Sequence, residues 1–172
     1  ESALTVADVS YEDLAGAIDH SLLRPELTRD EVIAGCRLAA NYQVASVCVR
    51  PVDVALAGSL LEGSGVAVGT VIGFPHGSHS TSTKRFEAEV AVAEGASELD
   101  MVINIGALKS KDEALVLRDI RAVVEASQWN DKLENRPRMA EVVSQPQYIN
   151  TSKEIILGRM LGDYDYGDGR KE

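Results

Sequence analysis

The sequence predicts an α/β fold of four consecutive βα units, the parallel (βα)4 half of a TIM barrel, followed by a mainly helical C-terminal tail. Two observations carry this expectation. Through the first 127 residues, short β-branched runs alternate with longer amphipathic stretches, the pattern of repeated βα units around a parallel sheet. From Gln128 onward the texture changes: Trp129 to Pro137 holds no β-branched run, and Gly162 to Arg170 is polar and glycine-rich. No fifth strand stands where one is due. Right-handed crossovers then require the four units to curl in one direction, with all strand carboxyl ends at one rim.

Residues 44 to 49, 66 to 72 and 98 to 103 read as buried strands, and Ile18 to Ser21 as a shorter first one. Thr28-Arg29-Asp30-Glu31 is a capping box opening a helix to Tyr42, with Val32, Ile33, Cys36, Leu38 and Ala39 at helical spacing. Residues 51 to 62 begin with Pro51 in a first turn, residues 82 to 94 carry Phe86, Ala88, Val90, Ala91 and Ala93, and Lys111 to Ser127 repeats the pattern. In the tail, residues 135 to 145 and 150 to 161 each suit a helix, the second capped by Asn150 or Thr151 with Glu154 completing a box. Residues 162 to 172 are expected to be loose. The domain reading is a half barrel over 1–127 and a helical tail over 128–172.

A lone half barrel is expected to leave an apolar, strand-edged surface that needs a cover. Candidates in the tail are Trp129, Met139, Val142, Val143, Ile155, Ile156 and Leu161. The competing cover is a second copy, joined through the open barrel edges into a homo-oligomer.

The formal charge of -10 opposes nucleic acid and anionic membrane surfaces as partners. A small anion, a phosphosugar at most, would need a local site of backbone N–H groups or a few cations. Cys36 and Cys48 are too few for a disulfide framework or a cysteine metal cluster, and each lies in an apolar context. No 18-residue apolar run occurs, and Glu1 to Val6 lacks a basic segment followed by a long apolar one. A cytoplasmic address is the expectation.

Four runs carry a resemblance: Ala17-Ile18-Asp19-His20-Ser21-Leu22-Leu23, Ala45-Ser46-Val47-Cys48-Val49-Arg50-Pro51, Gly69-Thr70-Val71-Ile72-Gly73-Phe74-Pro75-His76-Gly77, and Glu98-Leu99-Asp100-Met101-Val102-Ile103-Asn104-Ile105-Gly106-Ala107. From about Leu14 to about Ser127 the chain resembles deoxyribose-phosphate aldolase. The resemblance implies a class I lyase that splits 2-deoxyribose 5-phosphate into glyceraldehyde 3-phosphate and acetaldehyde through a Schiff base, with no cofactor and no metal. It further implies that Asp100 relays protons at the substrate, that Asp19 lines the site at the end of strand one, and that Cys48 is a wall of the pocket. Ser21 stands where the family usually has threonine, and keeps the hydroxyl. Asp100 also has a plain structural reading, as a turn cap before the next helix, and Asp19 one as an ion pair or turn cap.

The family's imine-forming lysine lies on the sixth strand in a Lys-Thr-Ser-Thr-Gly type run, with helper lysines on the fifth and seventh, and its phosphate loops follow strands seven and eight. None of these runs is found here. Thr151-Ser152-Lys153 has the wrong order and continues as a helical pattern. His76 and His79 would hold a metal only with a third converging ligand, so a tight loop is the expectation. Lys84 and Arg85 read as a solvated helix face. The tail resembles the C-terminal part of periplasmic nitrate- or bicarbonate-binding proteins of ABC transporters, in Gln128 to Arg136 and Tyr164 to Arg170. The composite reading is a chimera without turnover; the alternatives are an active aldolase and a weak small-anion binding module.

Overall fold

The computed structural model describes residues 8–131, 137, 140, 141, 144, 152–154 and 157, with residues 129–131 described in backbone only. The elements run α1 (Tyr11–Ala15), β1 (Asp19–Leu22), α2 (Arg29–Tyr42), β2 (Ser46–Val49), a 3-10 turn (Pro51–Asp53), α3 (Val54–Leu61), β3 (Ala67–Ile72), α4 (Thr81–Ala93), β4 (Glu98–Met101), α5 (Ile105–Lys109) and α6 (Glu113–Asp131). Four parallel strands in the order β1-β2-β3-β4 are half of the eight in a TIM barrel, as the sequence predicts. The strands are shorter than the apolar runs suggest, because residues such as Val44 and Val66 are buried in loops that lead into them. Packing divides the chain into two compact units, Glu1–Gly77 with Glu94–Val102, and Ser78–Ala93 with Ile103–Glu172.

In the first unit, registers Asp19↔Ser46, Ser46↔Ala67 and Gly69↔Glu98 tie the four strands together. Side chains alternate across a strand, so Leu22, Val47, Val49, Val68, Thr70 and Ile72 share one face, all of them buried. That face meets the helices: α2 packs on β1 and β2, and α3 on β2 and β3. Val32, Cys36 and Ala39 of α2 and Val54, Ala57 and Leu61 of α3 supply the opposing buried stripe. Each fully buried valine or isoleucine contributes about 1.5–3 kcal/mol over its exposed state. Thr70 belongs in this apolar layer because its hydroxyl donates to the Val49 carbonyl at 2.8 Å. Gly35 lets α2 approach β1, since a Cβ there would sit 2.6 Å from Leu22 Cδ2.

The capping box at Thr28 forms as expected: the Thr28 hydroxyl accepts from the Glu31 amide, and the Glu31 carboxylate accepts from the Thr28 amide at 2.8 Å. Arg50 locks the turn after β2, its Nε donating to buried Asp53 at 2.7 Å and Nη1 to the Pro25 carbonyl at 3.0 Å. The loop after β3 is the tight turn expected, with a cis Phe74-Pro75 bond and positive φ at Gly73 and Gly77, where a side chain would be strained. Two short helices escaped the sequence reading. α1 and α5 span five residues each, too short for a periodic signal, and are held by caps at Ser10 and Asn104.

In the second unit α4 and α6 pack along one another, and here the structure corrects an expectation. Lys84 is not on a solvated face: it is fully buried, and its Nζ donates to the equally buried Asp119 at 2.9 Å. The other Asp119 oxygen accepts from the Thr81 hydroxyl at 2.6 Å. A buried charge needs a partner, and that partner lies 35 residues away on another helix. Arg85, the next residue, is exposed and pairs with Glu89 one turn along. α6 passes through residues 127 and 128 without a break. Residues 137, 140 and 141, and then 153, 154 and 157, are helical, inside the two expected tail helices. Ala140 is buried against Ala93 and Leu157. The cap at Asn150 or Thr151, the side chains of Trp129, Met139, Val142, Val143, Ile155, Ile156 and Leu161, and residues 162–172 lie outside the described residues.

Removing one partner of the buried pair strands a charge, at a cost of about 3–5 kcal/mol. Lys84→Met is therefore expected to lower the urea midpoint sharply, while Lys84→Met combined with Asp119→Leu recovers most of the loss. Equal destabilisation in the single and double variants would show that the pair is not the source.

Candidate functional site

The alternation that buries one face of the sheet sets the residues of the other. On that second face lie Asp19 and Ser21 of β1, Ser46 and Cys48 of β2, Ala67, Gly69 and Val71 of β3, and Glu98 and Asp100 of β4. The central members Ser46, Cys48, Gly69 and Val71 are buried, whereas Asp19, Ser21, Glu98 and Asp100 are exposed. The expected apolar open surface is thus corrected: this face is rimmed by acids on both outer strands. Large exposed apolar side chains of the first unit gather instead beside α1 and α2, where Tyr11, Leu14, Ile18, Leu38 and Tyr42 border a cavity of about 220 Å³.

The four sequence-selected residues, Asp19, Ser21, Cys48 and Asp100, do share one face. Ser21 and Cys48 are register partners, and Asp100 pairs with Val71 one step nearer the carboxyl end than Glu98. Asp19 departs from its expected place. It is the first residue of β1, not at the strand's end, and its carboxylate accepts from the Ser46 hydroxyl at 2.9 Å. With strands roughly 4.8 Å apart, Asp19 and Asp100 flank Cys48 from opposite sides without reaching one another.

The electrostatic result falls on the thiol. Burial first, then the charges of Asp19, Asp100 and Glu98, push Cys48 up to about 11. A thiol held protonated at neutral pH is no nucleophile, and Cys48 is buried, as its apolar sequence context suggests. The carboxylates can accept hydrogen bonds from hydroxyls or exchange protons with them. The strand positions of this face carry no cation, so the face presents acids, hydroxyls and one inert thiol.

Glu98 was missed by the sequence selection, although its two-residue spacing from Asp100 puts both on the same face of β4. Ser46 was missed as well, its role visible only once β1 and β2 are paired. In the second unit, His79 Nδ1 lies 3.2 Å from Glu87 Oε1 on α4, and Lys153 Nζ lies 3.6 Å from Glu141. Neither residue stands alone as a ligand or an amine. Among the described residues no group of three or more His, Cys, Asp or Glu side chains is close enough to hold a metal ion.

A parallel sheet of four successive βα units is the architecture of half a TIM barrel, and comparison with known proteins narrows the class. Residues 14–154 match the model of the DeoC/LacD family aldolases. The deoxyribose-phosphate aldolase of Exiguobacterium sibiricum is 53% identical over 116 residues, covering 67% of this chain and 52% of that protein. A crystal structure of a putative deoxyribose-phosphate aldolase from Coccidioides immitis is 42% identical, with a TM-score of 0.68, covering 70% of this chain and 47% of that one. The tetrameric deoxyribose phosphate aldolase of Aeropyrum pernix is 25% identical, with a TM-score of 0.54, over 88% of this chain and 74% of that one. The chain belongs to the DeoC/LacD aldolase family and spans about half the length of the curated relatives it matches.

The thiol gives a check on this face. Its folded value lies above the ordinary 9.0, so the folded state holds the proton that the unfolded state releases between pH 9 and about 11. The associated stability is intact below pH 9 and is lost as pH climbs through that window. Cys48 is expected to react with iodoacetamide at pH 8 only in denaturant, and Asp19→Asn with Asp100→Asn to bring its titration down. Rapid native labelling of Cys48 at pH 8 would contradict the geometry.

Proposed function

We propose that this chain carries the proton-handling half of a deoxyribose-phosphate aldolase site and has no turnover of its own. The observation that supports the reading is the face itself. It carries Asp100, Cys48, Ser21 and Asp19, the residues that the resemblance selects, on one side of the sheet, while β1 to β4 supply no lysine. In the proposal Asp100 exchanges protons with a sugar hydroxyl or carbonyl, Asp19 and Ser21 hydrogen-bond the substrate from the opposite strand, and Cys48 closes the floor. Carbon–carbon cleavage by the Schiff-base route needs a neutral amine to form the iminium. Well-placed acids do not substitute for that covalent step.

The tail forms the second part of the proposal: helices of other ancestry joined within α6, with residues 1–127 as the half barrel and 128–172 as the tail. In its favour, the curated relatives align over only 116 residues; against an early junction, the family match continues to residue 154. Lys153, paired with Glu141 on a neighbouring stretch of the tail, is assigned no role in catalysis. The proposal extends to a cytoplasmic address, consistent with two free buried cysteines, and to homo-oligomerisation, as in the tetrameric Aeropyrum pernix relative. Among the described residues no helix is long and apolar enough to cross a membrane.

The test is direct. The purified 172-residue protein, given 2-deoxyribose 5-phosphate, is expected to release no acetaldehyde above background, and borohydride is expected to trap no adduct detectable by mass spectrometry. Reduction of a substrate imine onto any lysine of this chain would overturn the proposal and favour the active-aldolase reading.

A further inference from the structure

The second unit contains a cationic groove in an otherwise acidic protein. It runs between α4 and α6, has a volume of about 710 Å³, and is lined by Thr81, Ser82 and Arg85 from α4 and by Ala114, Leu117, Arg118, Arg121, Ala122 and Glu125 from α6. Three guanidinium groups therefore face one carboxylate. Arg85 is held by Glu89, its Nε donating at 2.9 Å. Arg118 and Arg121 are exposed, lie one turn apart on the same helix, and have no side-chain partner among the described residues. The floor adds no negative charge, because Asp119 beneath it is neutralised by Lys84 and bonded by Thr81.

We infer that this groove binds a compact organic phosphate, its oxygens on Arg118 and Arg121 and its carbon portion on Leu117, Ala114 and Ala122. Guanidinium forks match phosphate oxygens in bidentate geometry. The volume falls in the range of small-ligand sites. A long polyanion is disfavoured, since beyond the groove it would meet a surface with a net charge of -10, whereas a small dianion stays within reach of the arginines. The inference does not rest on the aldolase reading, as none of these residues belongs to the sheet face.

The experiment is calorimetric titration of the full chain with phenyl phosphate and with inorganic phosphate at fixed ionic strength. Saturable binding is expected, tighter for phenyl phosphate because of the apolar floor. R118Q with R121Q is expected to weaken it on the order of tenfold or more. Ser82→Asp, which puts a carboxylate into the groove at an exposed helix-start position, is expected to weaken it too, whereas D100N leaves it unchanged. No saturable heat up to roughly 10 mM ligand, affinity untouched by both groove variants, or loss of binding in D100N would each overturn the inference. Binding that survives in D100N while substrate trapping on lysine also succeeds would sink the turnover proposal and leave this one standing.

Discussion

The burial of Val47, Val49, Thr70 and Ile72 against α2 and α3 is the constraint on which the rest of the first unit depends. Once those side chains face the helices, two-residue alternation leaves no freedom for their neighbours. Ser46, Cys48, Gly69 and Val71 must face the other way, and parallel register brings Asp19, Ser21, Glu98 and Asp100 around them. The acid-bearing face is thus a by-product of packing on the opposite side. A slip of one residue in β1 or β4 would turn a carboxylate toward the helix side, and a slip in β2 or β3 would turn valines away from it, so core packing and the placing of the acids are enforced by the same contacts.

The environment of Cys48 shows how such a face acquires chemical character. The cysteine is reached by charges from both outer strands, although none touches it in sequence. Desolvation and three like-signed neighbours act in the same direction, favouring the uncharged thiol. A sheet built this way can keep a cysteine buried among acids without making it reactive. The corresponding need, a cation that would turn the acids toward catalysis, is what the four strands do not provide.

Legibility in the sequence followed the length and regularity of each signal. α2 was readable to its cap because Thr28 and Glu31 give a local rule that survives in the fold, and the three apolar strands were readable because buried parallel strands are continuous β-branched runs. α1 and α5 were not, since five residues hold little more than one helical turn. Lys84 misled because a lysine at the start of a helix is ordinarily solvated; only the pairing of α4 with α6 shows that Asp119 waits at the same depth. Asp19 was assigned to the wrong end of its strand, because a four-residue strand has no internal mark for its boundaries.

The outer strands β1 and β4 have one side each without a partner among the described residues, and exposed strand margins invite another molecule to add on laterally. Here the margins are posted with Asp19 on one side and Glu98 and Asp100 on the other. Two molecules meeting margin to margin would press like charges together, so lateral stacking into fibrils is resisted by the very carboxylates that flank Cys48.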